Sequence, residues 1–160
     1  MTQLRVGSGF DIHAFGPGDS LMLGGVRVPH GRGVLAHSDG DVLLHALVDA
    51  LLGAAGLGDI GLHFPDSDSQ WKNADSRRFV TATLEMLTKR GLRVVNADLT
   101  LLAQEPKMAA YRQQIRDAVA ALLGVTADRV NLKATTPESL GALGRGEGLA
   151  AMATVLLESA

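Results

Sequence analysis

The sequence predicts an α/β protein of the α+β type: a single-domain two-layer sandwich in which a mixed β-sheet carries helices on one face. Three observations lead there. Segments of strand character alternate with segments of helical periodicity, the order expected of a sheet covered by helices. At 160 residues and 46% hydrophobic content, the chain is long enough to bury one sizeable core. No internal repeat, low-complexity tract or Pro/Ser-rich linker divides residues 1–160.

Composition narrows the function. Lys plus Arg is 15 and Asp plus Glu is 17, a net charge of −2, which argues against nucleic acid as the main partner. No apolar run approaches the length of a membrane span. The chain has no cysteine, so any metal site must be built from His and carboxylate. MTQLRVGSGF runs straight into strand-like sequence without a basic region and apolar block. No signal or transit peptide is therefore expected, and a cytoplasmic location is the default.

Leu4 to Ile12 and Ser20 to Val28 read as strands, the second interrupted at Gly24-Gly25 by a bulge or turn. Ser38 to Ala55 is the strongest helix, with SDGD supplying a Ser cap and an acid three residues on. Asp59 to Ala74, DIGLHFPDSDSQWKNA, fits neither periodicity and predicts a long loop that is weakly packed and able to move. A second helix runs from about Ser76 to Arg90 and stops at Gly91 with basic residues in its last turn. Leu92 to Ala103 reads as a strand, and Met108 to Leu123 as a helix stopped by Gly124. Arg129 to Ala134 and Leu149 to Glu158 are further strands, separated by TTPESLGALGRGEG. The helices are too few to cover both faces of such a sheet, so a homo-oligomer is expected.

GSGFDIHAF places Asp11 and His13 two residues apart on a strand, on one face and about 7 Å apart along the backbone. They could be two ligands of one metal or a surface ion pair. On the first helix Asp41, His45 and Asp49, spaced i, i+4, i+8, form a polar stripe on an otherwise apolar surface. His45 with Asp11 and His13 would complete an Asp/His/His set of the kind that holds Zn²⁺ with one open position. Asp41 or Asp49 could then orient the imidazole through its second nitrogen. The alternative is a core histidine paired with its i±4 carboxylate. Ser38 could bind an anion at the helix start or serve as a cap. Asp59, Asp66 and Asp68 suit either turn formation or the hydroxyls of a polyol. In KATTPES, Thr135 and Thr136 offer hydroxyls, and Glu138 could hold a second, harder cation.

GSGFDIHAF, LAHSDGDVLLHALVDALLGAAGLGDIGLHFPD, ADSR, AQEPKM, NLKATTPESLG and GRGEG, in this order, resemble the 2-C-methyl-D-erythritol 2,4-cyclodiphosphate synthase family of the non-mevalonate route to isoprenoids. The resemblance runs from Arg5 to about Leu157. It implies a metal-assisted, intramolecular phosphoryl transfer in which the substrate's 2-phosphate closes on the β-phosphorus of a cytidine diphosphate and expels CMP, a phosphorus–oxygen lyase reaction. The family's zinc ligands match Asp11, His13 and His45. Its second cation, Mg²⁺ or Mn²⁺, matches Glu138, and its transition-state-stabilising positions match His37 and Thr136. Ser38 matches a phosphate contact, and Ile12 lies inside the substrate-contacting D-x-H block.

The erythritol pocket implied by the resemblance falls on Asp59, Ile60 and Gly61, and on Phe64, Pro65, Asp66, Ser67 and Asp68. The cytidine pocket falls on the loop Ala103, Gln104, Glu105, Pro106, Lys107, Met108, Ala109. Thr135, Thr136, Pro137 and Glu138 would complete the site from a neighbouring subunit of a homotrimer. Phe10, Ala142 and Arg145 match the axial cavity, where some members bind isoprenoid diphosphates. Pro137 stands where many members carry a third Thr, and Ala142 where an aromatic often lines that cavity. Two other functions are compatible with the metal set or the trimer: a zinc-dependent phosphohydrolase, and a non-catalytic sensor of isoprenoid diphosphate or nucleotide.

Overall fold

A computed structural model describes residues 1–160. Along the chain it forms β1 (Leu4–Gly16), β2 (Ser20–Leu23), β3 (Val26–Pro29), β4 (Gly33–Val34), α1 (Val42–Ala55) and α2 (Ile60–His63). It continues through α3 (Arg77–Lys89), β5 (Leu92–Leu102), α4 (Arg112–Leu123), β6 (Val130–Thr135), α5 (Gly141–Gly144) and β7 (Gly148–Ser159). Five strands make one mixed sheet in the order β4-β1-β7-β5-β6, parallel only between β5 and β6. β2 and β3 form a separate hairpin. Its turn is Gly24-Gly25, both at positive φ, so the expected interruption is a tight reversal between two short strands.

The core lies between this sheet and α1, α3 and α4. α1 is apolar almost all round, and of its residues only Asp49 and Gly53 are not buried, as expected of a helix covered on every side. Its leucines, such as Leu43, Leu47 and Leu51, have no exposed surface, and each contributes roughly 1.5–3 kcal/mol by leaving water. α3 buries Phe79, Val80, Thr83 and Leu87, and α4 buries Ile115, Val119, Ala120 and Leu123. Both are stripes of helical spacing on otherwise polar helices.

The strands alternate accordingly. In β1, Gly7, Gly9, Asp11 and His13 are partly buried, while Val6, Ser8, Phe10 and Ile12 are exposed. Gly7 and Gly9 are required here. A Cβ on Gly7 would lie 2.1 Å from the Ala50 carbonyl oxygen, and one on Gly9 would lie 1.9 Å from that of Ala46. With no side chains at these two positions, α1 rests directly on the strand. The opposite face of the sheet, with Leu4, Val6, Phe10, Ile12 and Met152 exposed, has no layer over it.

Several boundaries differ from expectation. β1 extends four residues past Ile12, because β7 pairs with it as far as Ala14 and β4 pairs with Phe15 and Gly16. α1 begins at Val42, and its cap is Asp41, whose side chain accepts from the Leu44 N–H at 3.0 Å; Ser38 is not the cap. α4 begins at Arg112, after a turn in which Met108 is already buried. The segment Asp59 to Ala74 holds α2 and a 3₁₀ turn, Ser69–Trp71. Phe64 and Ala74 are buried, and Phe64, Trp71 and Phe79 pack ring against ring. The segment is therefore anchored at Phe64, Trp71 and Ala74, with exposed residues before, between and after these anchors.

Candidate metal centre and the two clefts

Gly7, Gly9, Asp11 and His13 share the helix-facing side of β1. The glycines meet the body of α1, at Ala46, Ala50 and Ala54. One and two strand repeats further on, Asp11 and His13 project past the helix's first turn, where His45 comes down to meet them. The three donor atoms form a near-equilateral triangle. His13 Nε2 is 3.0 Å from Asp11 Oδ2, His45 Nδ1 is 3.1 Å from the same oxygen, and the two ring nitrogens are 3.1 Å apart.

His45 is 8% exposed and is gripped on its other side. Its Nε2 lies 2.8 Å from Ser76 Oγ and 3.1 Å from Ser38 Oγ. Burial by itself would push the Asp11 carboxyl up, but hydrogen bonds and charge from His13 and His45 outweigh it and hold it down at about 2. Burial would likewise push His45 down, and the Asp11 carboxylate outweighs it, so the net direction is up. Two ring nitrogens and a carboxylate oxygen converge on one point at this distance. This donor set, with no thiolate and one side open to a cleft, fits a divalent cation.

Neither carboxylate expected to orient His45 does so. Asp41 is fully buried and accepts from the N–H groups of Gly24, Gly25 and Leu44 at 2.9, 2.7 and 3.0 Å. Asp49 accepts from the Ile60 N–H at 2.7 Å. Ser76 and Asp39 stand in their place; the sequence held them only as members of ADSR and HSDGD.

The triad opens onto a cleft of about 450 Å³. His37, Ser38, Ile60, Gly61, Phe64, Pro65 and Asp66 line it. His37 Nε2 is buried there without a hydrogen-bond partner. Leu35, Trp71 and Phe79 line it without having been anticipated; their only signal is aromatic and apolar character beside a polar loop. Asp59, Ser67 and Asp68 do not line the cleft: Asp59 and Asp68 cap α2 and the Ser69–Trp71 turn, and Ser67 is exposed. Ile12 points to the opposite face of the sheet.

A second cleft, of about 150 Å³, gathers Ala103, Gln104, Pro106, Lys107 and Met108 with Thr135 and Thr136. Glu105 and Ala109 are exposed outside it. Next to it Glu138 and Ser139 adopt positive φ, 53° and 62°, and the Pro137 ring precedes them. Thr136 Oγ1 donates to Glu138 Oε1 at 3.0 Å, and the Ser139 N–H donates to Gln104 Oε1 at 3.2 Å. The two clefts share no residue. β7 and β5 lie between β1 and β6, three inter-strand steps of about 4.8 Å each. One chain therefore does not bring Thr136 and Glu138 to its own triad. Phe10, Ala142 and Arg145 are exposed, and Arg145 pairs with Glu147 at 2.6 Å.

The family model described as the YgbB family matches residues 4–158. A 2-C-methyl-D-erythritol 2,4-cyclodiphosphate synthase of Xanthomonas axonopodis pv. citri is 58% identical over 153 residues, 96% of this chain and 92% of that protein. The bifunctional IspDF of Campylobacter jejuni superposes with a TM-score of 0.96 at 42% identity; all of this chain is covered, and it spans 43% of that longer one. An IspF of Plasmodium falciparum, solved as a CDP complex, superposes with a TM-score of 0.84 at 33% identity, covering 96% of this chain and 95% of that one.

Proposed function

The chain belongs to the YgbB family, and from that premise we infer that it converts 4-diphosphocytidyl-2-C-methyl-D-erythritol 2-phosphate to 2-C-methyl-D-erythritol 2,4-cyclodiphosphate and CMP. An oxygen of the 2-phosphate forms a bond to the β-phosphorus. The bond from that phosphorus to the bridging oxygen breaks, and its electron pair leaves on CMP. The observation that carries this reading is the Asp11/His13/His45 triangle at the head of a cleft wide enough for a phosphorylated polyol.

The nucleophile is already an anion, so no side chain has to activate it. What the chain supplies is alignment and positive or hydrogen-bonding surroundings for crowded phosphates. Asp11, His13 and His45 would hold Zn²⁺, which supplies Lewis-acid polarisation of the diphosphate when bound. His37, with a buried ring nitrogen free of any partner, and Ser38 offer donors beside it. Asp66 and the backbone of Ile60 and Gly61 border the space for the erythritol hydroxyls. Glu138, steadied by Thr136, would serve Mg²⁺ or Mn²⁺. Ala103 to Ala109 would take the cytidine, with Lys107 toward its phosphates.

The separation of the two clefts within one chain supports a homotrimer whose sites form between subunits, the β6 side of one meeting the β1 side of the next. The exposed apolar sheet face supports the same assembly. The deciding experiment incubates the protein with the diphosphocytidyl substrate and Mg²⁺ and follows phosphorus NMR. CMP with the cyclic diphosphate is expected. Release of inorganic or monoester phosphate would replace this reading with that of a metal-dependent hydrolase.

A further inference from the structure

On the side of His45 away from Asp11 and His13 lies a hydrogen-bonded chain that the chemistry above does not use. His45 Nε2 is 2.8 Å from Ser76 Oγ, and Ser76 has no exposed surface. The Ser76 hydroxyl in turn donates to Asp39 Oδ1, and the Ser76 N–H donates to Asp39 Oδ2 at 3.0 Å. Asp39 is itself fixed. Its N–H donates to the Ala74 carbonyl at 3.0 Å, and the Asn73 N–H donates to the His37 carbonyl at 2.8 Å, so residues 37–39 and 73–76 run strapped together. We propose that Ser76, backed by Asp39, is the positioning residue that sets the ring orientation and tautomer of His45, so that Nδ1 presents a lone pair to the point shared with Asp11 and His13. This rests on reading that point as a cation site.

The direction of the chain follows from donor counting. A serine hydroxyl has one proton, and Asp39 takes it. Toward His45, Ser76 Oγ can offer only a lone pair, so Nε2 must carry a ring proton; a proton on Nδ1, which faces Asp11 Oδ2 at 3.1 Å, is the one a cation displaces. A carboxylate behind the hydroxyl also makes Nδ1 a better donor to a cation. Ser38 Oγ, at 3.1 Å from the same nitrogen, is a weaker candidate. It is part of the cleft lining, and its one other bond is a long one from the Gly40 N–H, 3.3 Å. Ser76 opens α3 without a side-chain cap bond, so its hydroxyl is not needed to start that helix.

Two measurements test this on the full-length protein after chelator treatment. The first titrates Zn²⁺ alone against a competing chromophoric chelator. Wild type should bind one ion per chain, and Ser76→Ala and Asp39→Asn should bind about 10–100-fold more weakly. Ser38→Ala should lose clearly less than Ser76→Ala. The second records two-bond ¹H–¹⁵N spectra of histidine-labelled, metal-free protein with the rings neutral. His45 should be the Nε2–H tautomer in wild type and a mixture in Ser76→Ala, a change that simple loosening of the fold would not produce selectively. Asp39→Asn, at a partly exposed position, carries the test if Ser76→Ala does not fold. Unchanged affinity and tautomer in both variants would overturn the proposal, as would an equal loss in Ser38→Ala. A wild type that binds no zinc would sink the cation site, while the tautomer spectra would still decide the role of Ser76.

Discussion

The carboxylate of Asp41 ties two elements together, accepting the Leu44 N–H of α1 and the N–H groups of Gly24 and Gly25 in the hairpin turn. Burial pushes its carboxyl up, against these three amides, which pull it down. Removing it deletes a helix cap, at about 1 kcal/mol, and leaves buried amides unpaired, at about 1–3 kcal/mol. Asp41→Ala should therefore lose about 2–4 kcal/mol in denaturant unfolding. Asp41→Asn should recover only part of this, since one oxygen becomes an NH₂ facing an amide donor. At the triad, His45→Ala removes one of three converging donors, and elemental analysis should find the purified variant without zinc while wild type retains one ion per chain. Glu138 lies outside that triangle, so Glu138→Gln should keep its zinc and lose most of its turnover. Full turnover in that variant at ordinary Mg²⁺ would remove Glu138 from the mechanism.

At the scale of elements, the strand β1 and the helix α1 act as a pair of jaws whose closure depends on having no side chain at Gly7 and Gly9. A methyl group on Gly9 meets the Ala46 carbonyl at 1.9 Å and the Ala50 amide nitrogen at 2.8 Å, both backbone atoms that cannot swing aside. Gly9→Ala should force α1 away from β1, at a cost of about 1–3 kcal/mol or more. It should also weaken zinc binding, because His45 rides on the helix and Asp11 and His13 on the strand. Unchanged zinc affinity in a measurably destabilised variant would show that the triad does not depend on this contact. The segment after α2 behaves differently along its length. Phe64 and Trp71 are anchored on Phe79, so hydrogen exchange should find slow amides at both anchors and fast ones between them. Substrate should then protect the intervening residues, including Asp66, if that stretch closes over the erythritol; equal exchange with and without substrate would make it a fixed wall.

For the whole molecule, the uncovered sheet face divides into two halves. On β1 and β7 it is mostly apolar, with Val6, Phe10, Ile12 and Met152 exposed around a Ser8–Thr154 pair and Phe10 paired opposite Met152. On β5 and β6 it is polar, with Asp98 accepting from Lys133 at 2.6 Å and from Asn131 at 3.0 Å. Several large apolar side chains exposed together on one face of a small protein point to an interface. Introducing two like charges there, Phe10→Glu with Met152→Glu, should convert a trimer to monomers in light scattering and leave the circular dichroism spectrum intact. Turnover should vanish with the assembly, because β1, which carries Asp11 and His13, and β6, which leads to Glu138, are separated by β7 and β5 within one chain. A wild-type monomer with full activity would refute the trimer and the shared site together.

Periodicity and punctuation along the chain were enough to place α1, α3, α4, β5, β6 and β7 to within a few residues, since glycine stops, apolar stripes and alternation act within a single element. The same local information singled out Asp11, His13 and His45. A D-x-H on a strand puts two ligands on one face, and a histidine on an apolar helix needs a partner. Contacts between distant segments were not legible in this way. Ser76 stands 31 residues from His45, and no local spacing distinguishes it from any other serine before a helix. Asp41 and Asp49 looked better placed by helical spacing. The hairpin amides and the Ile60 N–H claimed them instead, because buried donors take the nearest acceptor that the packed chain provides. Strand order was likewise a tertiary outcome: β7, the last element, inserts between β1 and β5, and that insertion separates the two clefts.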